Sequence, residues 1–169
     1  MRAGRRFNGS VHDQRFEELV RAHHGSVRTY ARSLASTPTI AEDATQETFL
    51  RAWRYLDSFR GEGSFEGWLI RICRNCLHDL EARERPSVDL ANVVWSLAEP
   101  ADHSSELLAV VQELPLAQRE VVVLCGVLGY DYETAATILD TPVGTIRSRL
   151  SRARAALAAL IDERPAHVG

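Results

Sequence analysis

Lysine is absent from this chain: among 169 residues, all 20 basic ones are arginine, set against 23 acids. An all-arginine composition reflects the base composition of a genome as much as chemistry, so the position of the arginines carries more than their identity. The formal net charge of -3 would, as an average, argue against a nucleic-acid protein. Long apolar runs are lacking too. No stretch of about 18 apolar residues occurs, which excludes a transmembrane helix and membrane insertion through one. The amino terminus MRAGRRFNGS has no apolar core of a signal peptide, so a cytoplasmic location is expected. Cysteine is scarce and odd in number: three, in a chain without an export signal, point to thiols rather than a disulfide framework. Zinc normally takes four ligands, and Cys73, Cys76 and His78 offer no second pair; Cys125 sits in an apolar run, and His23 and His24 lie in another helix. No metal and no cofactor is expected, and Cys73 and Cys76, one helical turn apart, read as small hydrophobes. Strand-like alternation of useful length is missing as well, which leaves an all-α reading.

What is present is 45% hydrophobic residues with helical spacing, enough for one core or two small ones. A first helix is expected from Asp13 to Ser36, ended by Thr37 and Pro38. A second begins at Thr39, where TIAE supplies a capping box with Glu42, and runs to about Ser58, with Phe49, Ala52, Trp53 and Leu56 as its buried stripe. FRGEGSF, residues 59–65, is a glycine-bearing loop. A third helix starts near Ser64 and stops before Pro86, with Phe65, Trp68, Leu69, Ile72 and Cys76 inward and Arg71, Arg74, His78 and Arg85 towards the other side. Residues 86–118 carry Asp89, Glu99, Asp102, Glu106 and Glu113 without one arginine, so charge is segregated along the chain. The spacing predicts two small helical domains, 12–85 and 106–163, joined by a flexible linker at 86–105. Val93, Val94, Trp95 and Leu97 are apolar for a free tether and favour docking on something.

The carboxyl-terminal domain holds a helix from Ser105 to Glu113, a break at Leu114 and Pro115, a helix through REVVVLCGVLG, and then a helix-turn-helix. YETAATILD, residues 132–140, is short and apolar at Ala135, Ala136 and Leu139. DTPVGTIRSRLSRARAAL, residues 140–157, has four arginines and no acid after Asp140. Thr141 is the expected N-cap and Pro142 fits the first turn. Ile146, Leu150, Ala153 and Leu157 share one stripe, and Arg147, Ser148, Ser151 and Arg152 share the opposite one. These arginines lie early and mid-helix, where attraction to the carboxyl-terminal dipole does not explain them. A second helix of this kind enters the major groove.

DATQETFLRAWRYLDSF (43–59), FRGEGSFEGWLIRICRN (59–75) and PVGTIRSRLSRAR (142–154), in that order, resemble the extracytoplasmic-function sigma factors, two-domain members of the bacterial sigma-70 family. The likeness spans roughly residues 13–162. It implies a non-enzymatic factor that binds core RNA polymerase, recognises minus-35 and minus-10 promoter elements and helps to melt the duplex. Its implied partners are core RNA polymerase, through the largest-subunit clamp helices and the flap, promoter DNA, and an anti-sigma factor by analogy. In the holoenzyme it would associate with the nucleoid.

The resemblance implies roles for individual residues. Asp43, Gln46, Glu47, Leu50 and Arg54 would meet polymerase, with Leu50 an apolar anchor among polar groups; by pattern alone that face reads as a solvated surface. Phe59, Arg60, Gly61, Phe65, Arg71, Arg74, Asn75 and His78 would serve the minus-10 strand, with Phe59–Phe65 shaping a pocket for an extruded base. For the arginines the alternative is solvation or salt bridges to Glu81 and Glu84, and Asn75 is either structural or DNA-facing. Thr145, Arg147, Ser148, Arg149, Ser151 and Arg152 would serve the minus-35 element, with Arg149 and Arg154 nearer phosphates or packed acids. The amides of Thr141–Gly144 could hold a phosphate. The acidic linker would thread the channel that RNA later uses. Two rivals stand beside this reading: a dimeric helix-turn-helix regulator, which has no need of the second helix or of FRGEGSF, and a helical metalloenzyme, for which no ligand set is in view.

Overall fold

In the computed structural model, residues 9–61, 63–84 and 109–162 are described, and among them every regular element is helical. They are α1 (Gly9–Leu34), α2 (Pro38–Tyr55) with a 3₁₀ turn at Leu56–Ser58, α3 (Phe65–Glu84), α4 (Leu116–Val122) running into a π-turn at Val123–Val127, α5 (Tyr132–Leu139) and α6 (Val143–Asp162). The linker 86–105, with Val93, Val94, Trp95 and Leu97, lies outside the described residues, as do Arg85 and the start of the helix expected from Ser105.

The first unit is α1, α2 and α3 packed together. Val27, Tyr30, Ala31 and Leu34 recur at helical spacing on α1 and are buried. On α2 the buried face is Ile40, Ala41, Ala44, Thr45, Thr48 and Ala52; of the stripe expected from sequence Ala52 is buried, while Phe49 and Leu56 are only partly covered. Small residues let α1 and α3 approach. The two buried threonines satisfy their hydroxyls on their own helix, Thr45 Oγ1 donating to Ala41 O at 2.8 Å and Thr48 Oγ1 to Ala44 O at 2.6 Å. Trp53 is displaced to the surface, edge-on to Phe16 at 5.0 Å. On α3 the innermost residues are Leu69, Ile70, Cys73, Cys76 and Leu77, while Phe65, Trp68 and Ile72 are only partly covered.

Helix starts differ from expectation in two places. Thr37, not Thr39, caps α2: its Oγ1 accepts from Ile40 N at 3.2 Å, with Pro38 at the first turn, and Glu42 pairs with Arg28 instead of closing a box. Thr141 does not cap α6. Its hydroxyl donates back to Leu139 O at 3.1 Å, and Pro142 O accepts the first amides of the helix, from Thr145 and Ile146.

The second unit turns on α5. Asp131 caps it by accepting from Thr134 N at 2.6 Å. It ends at Asp140 in the left-handed conformation, φ 49°, with Thr141 N donating to Ala136 O and Asp140 N to Thr137 O, a Schellman closure in which aspartate stands where glycine is usual. That sharp reversal sets α6 across α5, so that Ile146, Leu150 and Ala153 close over Ala135, Ala136, Ile138 and Leu139.

The two units share one continuous core. Carbonyls at the end of α1 are capped from the second unit, Arg32 O by Gln112 Nε2 at 3.3 Å and Leu34 O by Arg119 Nη1 at 3.5 Å. Arg119 also donates to Leu114 O at 3.1 Å and to Gln112 O, so one guanidinium joins three chain segments. Gly67 is buried beside Ile138, whose Cδ1 is 3.7 Å from where a β-carbon would stand.

Candidate nucleic-acid and partner interfaces

On α6 the apolar and cationic faces separate as the spacing requires. Arg147, Ser151 and Arg152 are exposed, and Thr145, Ser148 and Arg149 are half-buried at the edge. Ser148 Oγ donates to Thr145 O at 3.0 Å, which turns that hydroxyl along the helix. Among the described residues none of Arg147, Arg149, Arg152 or Arg154 pairs with an acid. The guanidinium carbon of Arg147 lies 6.0 Å from the centroid of Tyr132, a neighbour in the first turn of α5 that sequence reading missed. The amides of Thr141, Thr145 and Ile146 are taken by Ala136 O and Pro142 O, so a phosphate seat at this helix start is confined to Val143 and Gly144.

The loop before α3 is shaped by glycine: Gly61 and Gly63 have φ of 76° and 80°, conformations that other residues rarely adopt. They bring Phe59 back onto α3, where Phe59, Phe65 and Trp68 meet with ring centroids 5.2–5.4 Å apart. Trp68 is therefore a wall of this aromatic cluster and not the core residue expected from its stripe. Phe65 is backed by His23 at 5.6 Å, and His23 Nδ1 is 3.9 Å from Glu66. Arg60 and Gly61 are exposed beside the cluster, and Arg71, Asn75 and His78 line one exposed side of α3 at intervals of four and three.

Arg74 stands apart from that line. Its Nε donates to Glu120 Oε1 at 2.6 Å, and the glutamate side chain, on α4 of the other unit, is only 8% exposed. Burial disfavours the arginine charge, but the hydrogen bond and charge of Glu120 outweigh it, and the Arg74 pKa rises. The ion pairs weighed from sequence, to Glu81 and Glu84, are not what holds it: Glu81 instead accepts from Ser36 N and Oγ at 2.7 and 3.0 Å.

The third surface is on α2. Asp43, Gln46, Leu50 and Arg54 are exposed, and Leu50 is 53% exposed despite being apolar. Gln46 and Leu50 form a ridge between two depressions. One is a groove of about 610 Å³ between α1 and α2, lined by Phe16, His24, Phe49 and Trp53, with His24 stacked on Phe49 at 5.9 Å. The other is bounded by Asp43, Glu47, Arg51 and Asp79. Glu47 is less free than the pattern suggests. Arg51 Nε donates to it at 2.8 Å and Nη1 to Asp79 at 3.0 Å, and the hydrogen bond accepted by Glu47 holds the guanidinium above its ordinary range.

Cys73 and Cys76 are buried free thiols, and burial pushes the Cys73 thiol up to about 12. No group of three or more potential metal ligands occurs among the described residues. No helix among them is long and apolar enough to cross a membrane.

The model for sigma-70 region 2 matches residues 19–86, which covers the aromatic cluster and the α2 ridge, and that for sigma-70 region 4 matches residues 104–157, which ends on α6. The ECF RNA polymerase sigma factor EcfG of Rhodopseudomonas palustris is 36% identical over 143 residues, 80% of this chain and 79% of its own. The chain belongs to the ECF sigma factors. SigM of Mycobacterium tuberculosis, another member, is 36% identical over 151 residues, 86% of this chain and 76% of its own. Among solved structures, the sigma factor RpoE of Bartonella quintana, in complex with the anti-sigma factor NepR, matches with a TM-score of 0.79 and 31% identity, over 90% of this chain and 99% of that one. CnrH, in complex with the cytosolic domain of CnrY, matches with a TM-score of 0.71 and 30% identity, over 90% and 91%. This ECF sigma factor is accordingly a promoter-recognising factor of transcription initiation, in a family that is not enzymatic.

Proposed function

We propose that the three surfaces divide the work of promoter recognition. The exposed face of α6 reads the minus-35 element, with Arg147, Ser148 and Arg152 at or near base edges, Thr145 and Ser151 beside them, and Arg149 towards phosphate. The cluster of Phe59 and Phe65 with Arg60, Gly61, Arg71, Arg74, Asn75 and His78 receives the minus-10 non-template strand: an aromatic platform beside cationic side chains suits an unstacked base. The α2 ridge of Asp43, Gln46, Glu47, Leu50 and Arg54 binds the clamp helices of core polymerase, and the second unit reaches the flap. The observation that carries this reading is the α6 face, four arginines without an acidic partner among the described residues on a helix whose other side is buried. The work is cytoplasmic and, in holoenzyme, on the nucleoid. An anti-sigma partner is part of the proposal, since two similar solved structures are described as complexes of that kind or with a cytosolic partner domain.

Run-off transcription with purified chain, core polymerase and a pool of genomic promoters tests it. Specific transcripts that disappear with Glu47→Ala or Arg147→Ala support both assignments. Transcripts that survive both substitutions overturn them, and duplex binding as a dimer without any binding to core polymerase would favour a repressor-like role.

A further inference from the structure

Glu47 is the one acid of the proposed polymerase ridge that another side chain holds, among the described residues. Arg51, one helical turn on, donates from Nε to Glu47 Oε1 at 2.8 Å and from Nη1 to Asp79 Oδ2 on α3 at 3.0 Å. An acid four residues before a base is the favoured order for such a pair on a helix. The two bonds leave the guanidinium from different edges, so its plane is fixed from α2 and from α3 at once.

This bridge contributes little to folding. The side chains of Arg51, Glu47 and Asp79 are 27%, 34% and 45% exposed, and ion pairs so open to water are weak. Its geometry has a different consequence. A glutamate on an open helix face samples many rotamers, and a partner that binds it must select one. Arg51 occupies one oxygen of Glu47, and Oε2 is not engaged among the described residues, so the rotamer is chosen while the carboxylate can still accept from a partner. The bridge lines a depression of about 300 Å³ together with Asp43, Gln46 and Leu50, which places the held carboxylate beside the exposed ridge.

We propose that Arg51 is a positioning residue of the polymerase contact: anchored on α3 through Asp79, it presets the Glu47 carboxylate in the rotamer that core polymerase engages. Asp79 acts on that contact from a helix outside the α2 ridge. The inference rests on Glu47 belonging to the polymerase surface, and the test separates the two ideas.

Titration of the fluorescently labelled full-length chain with core RNA polymerase reads affinity, and thermal unfolding reads stability, for Arg51→Met, Glu47→Ala and the two combined. Arg51→Met keeps an unbranched apolar stem and removes both bonds. The expected result is a nearly unchanged melting temperature with core binding about fivefold weaker, the cost of immobilising one rotamer-rich side chain on association. With Glu47→Ala already in place, Arg51→Met should weaken binding no further. A side chain that itself touched polymerase, or merely supported the fold, would instead lower affinity by the same factor in both backgrounds. Asp79→Ala should weaken binding by a smaller factor, again only while Glu47 is present. If Arg51→Met lowers the melting temperature, the same comparison with Asp79→Ala decides, since it leaves both α2 side chains in place. Equal losses in the two backgrounds overturn the proposal, as does unchanged binding in Arg51→Met. Tighter binding also overturns it, because Arg51 would then compete with polymerase for the carboxylate. Unaltered core binding in Glu47→Ala removes Glu47 from the polymerase surface and the premise with it. Weaker binding in Glu47→Ala without any loss in Arg51→Met leaves that surface standing and discards the positioning alone.

Discussion

Replacing Arg147 by alanine distinguishes reading of sequence from neutralisation of charge on α6. The side chain is exposed, and its nearest ring, Tyr132, is 6.0 Å from the guanidinium carbon. At that distance and exposure the attraction is no more than about 0.5 kcal/mol, so thermal stability should hardly move. Binding should move far more. A bidentate arginine contact to guanine discriminates by about 1–3 kcal/mol, roughly 5- to 160-fold. A phosphate contact instead weakens all sequences alike and lowers the salt slope by about one. The assay is competition of holoenzyme for duplexes altered one base pair at a time through the minus-35 element, at two salt concentrations. Loss of discrimination at one base pair, with the salt slope kept, is the expected outcome. A uniform loss with a flatter salt dependence would refute base reading by Arg147. Tyr132→Ala should change the same discrimination by only about twofold, since the ring steers the guanidinium weakly.

Leu50→Ala should leave the melting temperature unchanged, because the side chain is half exposed, and weaken core-polymerase binding by about 1–2 kcal/mol, roughly 5- to 30-fold, in a pull-down titration. Thr37→Ala removes the cap from α2 and should cost about 1 kcal/mol in denaturant unfolding, whereas Thr39→Ala, at the position expected from sequence, should cost less. Cys73 keeps its proton more tightly folded, at about 12, than at its ordinary value of 9.0, so its contribution is fully present below pH 9.0 and is lost as pH rises towards 12. The denaturation midpoint should therefore fall above pH 9.0, and less steeply in Cys73→Ala. At pH 8 a maleimide should label Cys125, the partly exposed thiol, well before Cys73 or Cys76; equal rates for all three would contradict the burial.

Periodicity alone determined that this chain is helical, where α1 and α3 run, and that α6 keeps arginine on one side and Ile146, Leu150 and Ala153 on the other, because a helix of 3.6 residues per turn projects sequence directly onto faces. The motif order, read as a resemblance, carried the family. The inner face of α2 was not legible that way. Thr45 and Thr48 read as polar, but a threonine hydroxyl can return to its own helix, so they fill the core while Trp53 is pushed outward. The cap of α2 differs from expectation because Thr37 and Thr39 both offer a hydroxyl and packing selects which one faces the free amides, whereas at the start of α6 the Thr141 hydroxyl turns back to Leu139 O. Tertiary structure alone decided that Trp68 joins Phe59 and Phe65 at the surface, that Arg51 binds Glu47 and Asp79 together, and that Arg74 meets Glu120 across 46 residues of sequence. Such pairings depend on how far apart folded elements come to rest. No local pattern records that distance.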